Sequence, residues 1–578
     1  RNVEGGNRQD QINHSTFRLV GGVRGKIDEA FSYDVFGSYS KVSYKSRFVG
    51  NANTVRFANA LNAVIDRRTG SATFGQAVCA INADAISAND DTRCAPLDLV
   101  SGNRASDASI AYVGEDQQIT GQTALTDIVA SISGDLGKYG VTLPWANNGV
   151  GIAFGVEYRK NTLELNPDQA YQNSTEPEFP VSGNTIAKEF FAELNVPIVE
   201  ERPFFQLLSL ESAYRYSDYN TGFNTHTYKL GLNWSPVSEV RFRGSYQRAV
   251  RAPNVVELFA SRSKFEVELT ELANGTFDPC SGPTPFATFA QCANTGVTAA
   301  QYGNIVDNPA GQFNAIIGGN ENLKPEKADT WSFGAVFEPS FVPRLTISVD
   351  YFNIRVKDLI GSVNPNLALK NCLYNADPQS CAAINRGPGG TLFLTNDGFF
   401  ERFNVNTGSL RTSGIDLTID YRVPLDTMGS LSFNLVGTYL DSYKTKPLPT
   451  SPADDIYECS GLYGGLCGRP RPEWRHKLLT SWATPFGLDV GLTWRYVSAV
   501  KISQTSSQAA LTGSFAEINR KLNSRSYFDL SLGYDLFDNA RLTVGINNIL
   551  DKNPPLTTTA AIEDGGNGNT YPQFYDAT

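Results

Sequence analysis

The stretch Leu488-Asp-Val-Gly-Leu-Thr-Trp-Arg-Tyr496 alternates strictly between apolar side chains and polar or small ones. Because successive side chains of a β-strand point to opposite faces, every second residue belongs to the same face. One face carries Leu488, Val490, Leu492, Trp494 and Tyr496, and the other carries Asp489, Gly491, Thr493 and Arg495. The stretch therefore predicts a strand with one apolar and one polar face.

The same alternation recurs along the chain. Residues 345–351, 415–421 and 542–547 repeat it, and we find about sixteen segments of this kind. A soluble protein would bury some of these strands on both faces or cover them with helices, and we find no convincing helical segment that could do so. The repetition therefore favours a sheet whose apolar face meets lipid.

Aromatic residues lie near the ends of the predicted strands in two groups. They are Trp234, Phe337, Tyr421 and Trp482 at one end and Tyr158, Tyr246, Tyr439 and Tyr496 at the other. Two aromatic girdles that flank an apolar band are typical of a membrane barrel. The sequence predicts an all-β fold, a transmembrane antiparallel β-barrel.

The composition narrows the class of protein. Of the 578 residues 41% are hydrophobic and 19% charged, and the net charge of −10 offers no basic face for nucleic acid. No apolar run reaches the roughly 18 residues that a spanning helix needs. The polar residues 1–10 lack the apolar core of a signal peptide. A closed barrel is the other structure that satisfies all backbone groups in lipid.

The links between the predicted strands alternate in length. Short links fall near residues 25–30, 138–148, 197–203, 235–238, 339–343, 424–429, 485–487 and 536–539. Longer links run near residues 47–121, 161–184, 217–223, 252–329, 358–398, 441–473 and 498–525. Outer-membrane barrels have short periplasmic turns and long outer loops. We therefore expect the longer links, which we read as structureless, to form an extracellular layer.

The eight cysteines form four close pairs, each within one long link: Cys79 with Cys94, Cys280 with Cys292, Cys372 with Cys381, and Cys459 with Cys467. Eight cysteines allow 105 connectivities, and local pairing is the simplest. A zinc site is a poor alternative, because no C-x-x-C occurs and the three histidines are scattered. The pattern predicts four local disulfides, which suit loops outside the cytoplasm.

Three weaker patterns favour structural roles over functional ones. The glycine-rich residues 149–155 lie within an alternating strand and open no helix, so they do not indicate nucleotide binding. The acidic pieces 89–91 and 454–455 lack a complete calcium-ligand spacing. Arg241 and Arg243 lie on a polar face, where they form either a track for an anionic ligand or, as we favour, salt bridges to acidic luminal residues or to a plug. We predict no metal or cofactor.

A resemblance to a known family rests on three pieces of the sequence. Residues 246–259 read Tyr-Gln-Arg-Ala-Val-Arg-Ala-Pro-Asn-Val-Val-Glu-Leu-Phe and resemble a motif of TonB-dependent receptors. The matching residues are Arg251, Ala252, Pro253, Asn254, Glu257, Leu258 and Phe259. Residues 321–327 (ENLKPEK) and 544–552 (VGINNILDK) also resemble the family. Pro253 has no amide hydrogen for a ladder, so pairing should stop where the chain enters its long link.

The resemblance implies a 22-stranded barrel closed by an N-terminal plug, with uptake energised by the inner-membrane protein TonB. Our count of about sixteen strands is lower, and we identify neither a plug nor a terminal aromatic strand after residues 575–578. Residues 1–578 are therefore predicted to be a partial barrel without the plug, the early strands and the final strand. The implied partners are outer-membrane lipid and TonB, the latter through the plug region.

The resemblance implies a transporter in the outer membrane of a Gram-negative bacterium rather than an enzyme. We find no nucleophile, base and orienting group for a barrel enzyme, and a passive porin is the main alternative. The outer links are rich in Asn, Gly, Thr and Asp with scattered aromatics such as Tyr457 and Tyr463. These two tyrosines either stack on sugar rings or pack the loops together. We slightly favour an oligosaccharide over a ferric siderophore as ligand, and a surface lipoprotein partner stays open.

Overall fold

The computed structural model describes residues 8–99, 105–174, 177–537, 539–558 and 569–576. Sixteen long strands form one antiparallel sheet in which each strand pairs with the next along the chain. The strands are β1 Gln9–Lys26, β2 Phe31–Ala52, β3 Gly114–Asp135, β4 Gly151–Pro167, β5 Val181–Arg202, β6 Phe205–Tyr219, β7 Asn224–Val237, β8 Val240–Arg251, β9 Glu326–Phe337, β10 Leu345–Lys357, β11 Ser409–Pro424, β12 Ser430–Lys446, β13 Trp474–Ala483, β14 Leu488–Val497, β15 Arg525–Phe537 and β16 Ala540–Ile546. The all-β, antiparallel barrel prediction is confirmed.

The pairing register keeps like faces together across the sheet. Leu492 of β14 pairs with Leu530 of β15, and Val349 of β10 pairs with Leu417 of β11. The apolar face is solvent-accessible along the strands, with Leu492 at 41% and Val544 at 52% of full exposure. In a barrel this exposed face is the one that contacts lipid, so we call the sixteen strands the wall and its other face luminal.

Two of the four aromatic residues predicted near the short turns, both tryptophans, anchor that end of the wall. The indole N–H of Trp234 donates a hydrogen bond to the carbonyl of Phe204 at 2.9 Å. The indole of Trp482 donates in the same way to the carbonyl of Met428, also at 2.9 Å. Each indole thus satisfies its polar group on a turn carbonyl while its ring stays on the apolar face.

The longer links are folded, which corrects the expectation of structureless loops. Within the described ranges they contain the helices α1 Thr54–Leu61, α2 Asp107–Val113, α3 Gln169–Gln172, α4 Val255–Phe259, α5 Phe289–Asn294, α6 Pro365–Asn375 and α7 Pro378–Ala382. They also contain the short strands Ala63–Ile65, Ala77–Cys79, Ser263–Glu268, Gln312–Gly318, Ile360–Gly361, Ile384–Asn385, Phe399–Phe403, Val405–Asn406, Tyr457–Glu458, Leu462–Tyr463, Val500–Ile502 and Lys521–Leu522. Most of these elements are too short to show a hydrophobic period, which is why the sequence did not predict them.

We call the described residues of links 53–113, 252–325, 358–408, 447–473 and 498–524 the outer cap. Links 252–325 and 358–408 interlock in one small sheet, where Gln312–Gly318 pairs with Ser263–Glu268 on one side and with Phe399–Phe403 on the other. A core of buried residues, among them Phe313, Leu392 and Phe400, lies against this sheet. The cap is therefore a packed structure that joins links far apart in the sequence.

No helix among the described residues has the length and apolar character needed to cross a membrane. Within the same residues, β1 and β16 each pair with one neighbouring strand. The predicted pieces 1–10, 536–539 and 575–578 lie partly outside the described residues, as do parts of links 47–121 and 161–184.

Candidate functional site

The motif at residues 251–259 marks the point where the chain leaves the wall. Strand β8 ends at Arg251, and helix α4 begins after its N-cap Asn254. The Asn254 side chain accepts a hydrogen bond from the Glu257 amide, and the Glu257 carboxylate accepts one from the Asn254 amide, each at 2.8 Å. This reciprocal capping box fixes the direction in which the helix leaves the strand.

Arg251 joins two of the three motifs that carry the family resemblance. Its guanidinium donates to both Glu326 oxygens at 2.7 Å and to both Glu257 oxygens at 3.0 Å. Glu326 belongs to the second motif and also accepts the amide of Ile360 at 2.8 Å. One arginine therefore ties the end of β8, helix α4 and the start of β9 through paired, charge-assisted hydrogen bonds.

Helix α4 lies against the luminal face of distant strands. The ring of Phe259 packs so closely on Gly183 of β5 that a Cβ atom there would lie 2.3 Å from the ring. Only glycine fits at this contact. Residues 250–256 line a cavity of about 700 Å³ together with luminal residues of β2 to β5, including Arg159, Asn161 and Thr185. The motif therefore forms part of the mouth of the lumen.

Charged groups below this cavity form a connected network. Arg215 of β6 donates to Glu157 of β4 and to Glu189 of β5, each at 2.7 Å. Arg159 lies 3.4 Å from Glu157 and 3.7 Å from Glu189. Sequence alternation places these residues on the polar face, but the network spans three strands and has no local sequence signal.

Further ion pairs follow the luminal face around the wall. Arg243 binds Asp350 with its Nε at 2.7 Å, and Arg495 binds Asp529 at 2.8 Å. Arg248 binds Asp329 at 2.7 Å on the opposite, outward face, which these residues share with Tyr246 and Trp331. Arg243 thus makes the salt bridge that we favoured for it. Arg241 is exposed, and its predicted role stays a prediction.

The third motif lies at the end of the described sheet. Asn548 donates its amide to Asp529 at 2.9 Å, and its side chain accepts the amide of Lys552, also at 2.9 Å. Asn548 adopts a positive φ of 50°, a conformation that asparagine tolerates better than most residues. Because Asp529 also binds Arg495, this turn is connected to the same luminal ion pairs.

The two candidate ligand tyrosines lie inside the outer cap. Tyr463 is fully buried and donates its hydroxyl to the carbonyl of Asn519. Tyr457 is 7% exposed and packs with Cys459, Cys467 and Leu511. Burial raises the pKa of both phenols. This is the loop-packing arrangement, so a ligand contact by either ring stays a prediction and would require the cap to rearrange.

The structure forms all four predicted disulfides. Cys79 bonds Cys94, Cys280 bonds Cys292, Cys372 bonds Cys381, and Cys459 bonds Cys467. Each bond closes one link of the outer cap, and Cys280, Cys292 and Cys372 are fully buried in its largest core. No cluster of metal-ligating side chains occurs within the described ranges.

The cap also contains a buried ion pair that sequence reasoning missed. Arg386 donates to Asp278 at 2.6 and 3.0 Å, and both side chains are 2% exposed. Arg386 also donates to Thr295 and to the Gly390 carbonyl. The two residues are 108 positions apart in the sequence. No local sequence pattern predicts an ion pair over such a separation.

Comparison with known proteins identifies a family that this chain matches. The model of the family described as TonB dependent receptor-like, beta-barrel matches residues 5–549. No curated protein matches the chain in sequence.

Among solved structures, the siderophore receptor PirA from Pseudomonas aeruginosa is 14% identical, with a TM-score of 0.44 over 93% of this chain and 68% of that one. PirA from Acinetobacter baumannii is 13% identical, with a TM-score of 0.48 over 94% and 59%. The ferric-catecholate import receptor Fiu from K12 E. coli is 11% identical, with a TM-score of 0.49 over 96% and 62%. The chain thus spans less than two thirds of the length of two of these three.

The family consists of outer-membrane receptors and transporters rather than enzymes. The match covers nearly the whole chain, and all three motifs of the resemblance lie within it or at its end. The chain therefore belongs to the TonB-dependent receptor β-barrel family.

Proposed function

We propose that the chain is the barrel of a receptor in the outer membrane of a Gram-negative bacterium, and that it imports a scarce or bulky ligand with energy delivered by TonB. The observation that carries the proposal is the folded outer cap above a luminal face of ion pairs, in a barrel of this family. A cap with its own core suits selective capture of a ligand. A passive porin, whose lumen serves diffusion, does not require one.

The proposed partners follow from the family. TonB acts through a plug region, which is predicted to belong to the working receptor, and lipid surrounds the wall. The luminal ion-pair network offers both carboxylates and guanidinium groups to such a plug. We leave open whether a surface lipoprotein assists capture.

The proposed ligand is an oligosaccharide or a similarly bulky polar nutrient, slightly ahead of a ferric siderophore. The cap is rich in hydroxyl and carboxamide side chains, which suit sugar hydroxyls because they both donate and accept hydrogen bonds. Tyr457 and Tyr463 remain candidate contacts in an opened cap.

The test compares uptake in cells with and without a functional TonB system. The proposal expects accumulation of the ligand that depends on TonB and saturates with concentration. Passive uptake that is equal in both strains would favour the porin. Growth conditions separate the two ligand classes, because iron starvation should induce a siderophore receptor and a carbohydrate should induce a glycan receptor. Induction by iron limitation alone would overturn the oligosaccharide choice.

A further inference from the structure

A second cavity lies between the links of the outer cap, away from the luminal mouth. Its volume is about 310 Å³, and residues of links 252–325, 358–408, 447–473 and 498–524 line it. Small-molecule pockets usually range from about 300 to 1,000 Å³, so this one fits a small ligand or one unit of a larger ligand. The cavity exists only because four links of the folded cap converge on it.

Asp455 is the unusual residue of this cavity. It is 2% exposed, and its Oδ1 atom accepts a hydrogen bond from Lys370 Nζ at 2.6 Å. Its Oδ2 atom is also buried and has no hydrogen-bond partner among the described residues. A buried carboxylate oxygen without a hydrogen-bond donor lowers the stability of the fold. Its presence in a residue that lines the cavity therefore indicates a place for a donor from a ligand.

Two carboxamide side chains that line the cavity offer hydrogen-bond donors to a ligand. The Asn366 side-chain oxygen already accepts the amide of Thr270 at 2.9 Å. The Gln504 side-chain oxygen lies 3.2 Å from the Ser503 hydroxyl, which has a shorter donor contact, at 2.8 Å, with the Gly464 carbonyl. The Asn366 oxygen is engaged, so its NH₂ group is what this side chain offers to a ligand, whereas the Gln504 carboxamide can both donate and accept.

Charge and apolar surface restrict the ligand further. Lys370 and Asp455 oppose each other in charge, so the ammonium disfavours a bound cation and the carboxylate disfavours a bound anion. Leu367, Leu466 and Leu511 add apolar surface to the lining of the cavity. A ligand that fits therefore has no net charge, donates to Asp455, accepts from the Asn366 carboxamide and offers C–H groups to the leucines.

We propose that this cavity binds one neutral, polyhydroxylated ring, a sugar unit, with a ligand hydroxyl donating to Asp455 Oδ2. Vicinal hydroxyls meet the donor and acceptor requirements together, because each hydroxyl donates once and accepts twice. The assignment deepens the proposed function and rests on it for the meaning of the ligand as an imported nutrient. The site itself stands on the cavity and on the unpartnered carboxylate oxygen.

The experiment uses the full-length receptor purified folded in detergent. Neutral trisaccharides of glucose, galactose, mannose and xylose are titrated while saturation-transfer NMR follows binding. We expect at least one to bind saturably, and we expect Asp455→Asn to weaken its Kd roughly 10- to 100-fold, because a hydrogen bond to a charged group is lost. Asp454→Asn is the matched control, since it removes the same charge from the adjacent, exposed residue.

A second variant guards against a folding defect. Gln504→Leu removes one NH₂ donor at similar size and should weaken the same trisaccharide roughly 3- to 10-fold. Retention of the Cys459–Cys467 bond in each variant reports that link 447–473 has folded. If no trisaccharide binds the unmodified receptor, or if Asp455→Asn and Asp454→Asn bind equally well, the assignment is wrong.

Uptake by cells that carry the unmodified receptor or Asp455→Asn, each with and without a functional TonB system, separates this inference from the proposed function. If Asp455→Asn loses saccharide binding but no variant shows TonB-dependent uptake, the site stands and the proposed function fails. If uptake depends on TonB while Asp455→Asn keeps full affinity, the proposed function stands and the site fails.

Discussion

Large apolar side chains are exposed along one face of the wall, whereas those that form the cores of the outer cap are buried. Leu492 and Val544 of the wall are 41% and 52% exposed, while Phe313 and Leu392 of the cap are 1% and 0% exposed. The polar groups reverse as well, since ion pairs line the inside of the wall. The same residue types thus arrange themselves for two solvents, lipid around the wall and water around the cap.

The difference teaches what holds each region together. Long backbone ladders define the wall, and its side chains mainly sort between lipid and lumen. The cap has short strands and helices, so buried contacts, disulfides and one buried ion pair must hold its links in place. Substitutions should therefore affect one region and spare the other.

The largest effect is expected from breaking the buried ion pair of the cap. Asp278→Ala leaves the Arg386 guanidinium buried without its carboxylate, which should destabilise the cap by about 3–5 kcal/mol. Hydrogen exchange of residues 263–318 measures the loss. Glu517→Ala is the control, because it breaks the pair with Arg520, where side-chain exposures are 75% and 55%, and an exposed pair of this kind contributes little to stability. Equal exchange in both variants would contradict the comparison.

A somewhat smaller effect is expected from charging the lipid face of the wall. Leu492→Arg should cost about 2–4 kcal/mol in a refolding titration into lipid vesicles, because a charge is placed within the bilayer. The neighbouring Thr493 points into the lumen, so Thr493→Arg should be tolerated better. If both substitutions have the same cost, the assignment of faces is wrong.

The contrast between Leu492 and Thr493 was predictable from the sequence, because a two-residue period is a local property. The four disulfides were predictable for a similar reason, since each joins two cysteines that are only 8 to 15 positions apart. The cap fold was not. Its strands are mostly two to seven residues long, and their partners lie in other links.

The candidate sites show the same division. Resemblance identified the motifs that contain Arg251 and Glu326, but not their contact across 75 positions. Composition drew attention to Tyr463, yet burial depends on the cap core and has no sequence signature. Asp455 was noted only as part of an acidic pair in a loop. The cavity that gives it the proposed role exists only when four distant links meet.

The next effect concerns the disulfides, which should matter in the cap and not in the wall. Replacing Cys280 and Cys292 together with serine removes a bond that closes 12 positions, and it should cost roughly up to 3 kcal/mol by freeing that link. Non-reducing peptide mapping of the unmodified protein should return four bonds, each within one link. A bond between two links would contradict the local pairing.

The smallest effect is a pH dependence in link 53–113. The Arg68 guanidinium, then the hydroxyls of Ser71 and Thr73, hold the pKa of the Asp66 carboxyl well below its usual range. Asp66 accepts from Arg68 Nε at 3.0 Å and from both hydroxyls at 2.6 Å, and its side chain is inaccessible to solvent. These contacts hold the turn that joins Asp66 to residues 75 and 76.

Because the folded-state pKa lies below the unfolded value of about 3.9, the Asp66 carboxylate stabilises this turn at every pH above that value. The stabilisation is lost as the pH falls through the lower, folded-state pKa. NMR of a ¹³C-labelled Asp66 carboxyl should therefore show a charged group at pH 3.9, where half of an unperturbed population would be protonated. Arg68→Gln removes the contact that lowers the Asp66 pKa most, so it should move the Asp66 titration to higher pH. Arg67 is a neighbouring exposed arginine, and Arg67→Gln should leave the titration in place. An Asp66 titration that is the same in Arg68→Gln and in Arg67→Gln would show that the guanidinium contact does not hold this part of the cap.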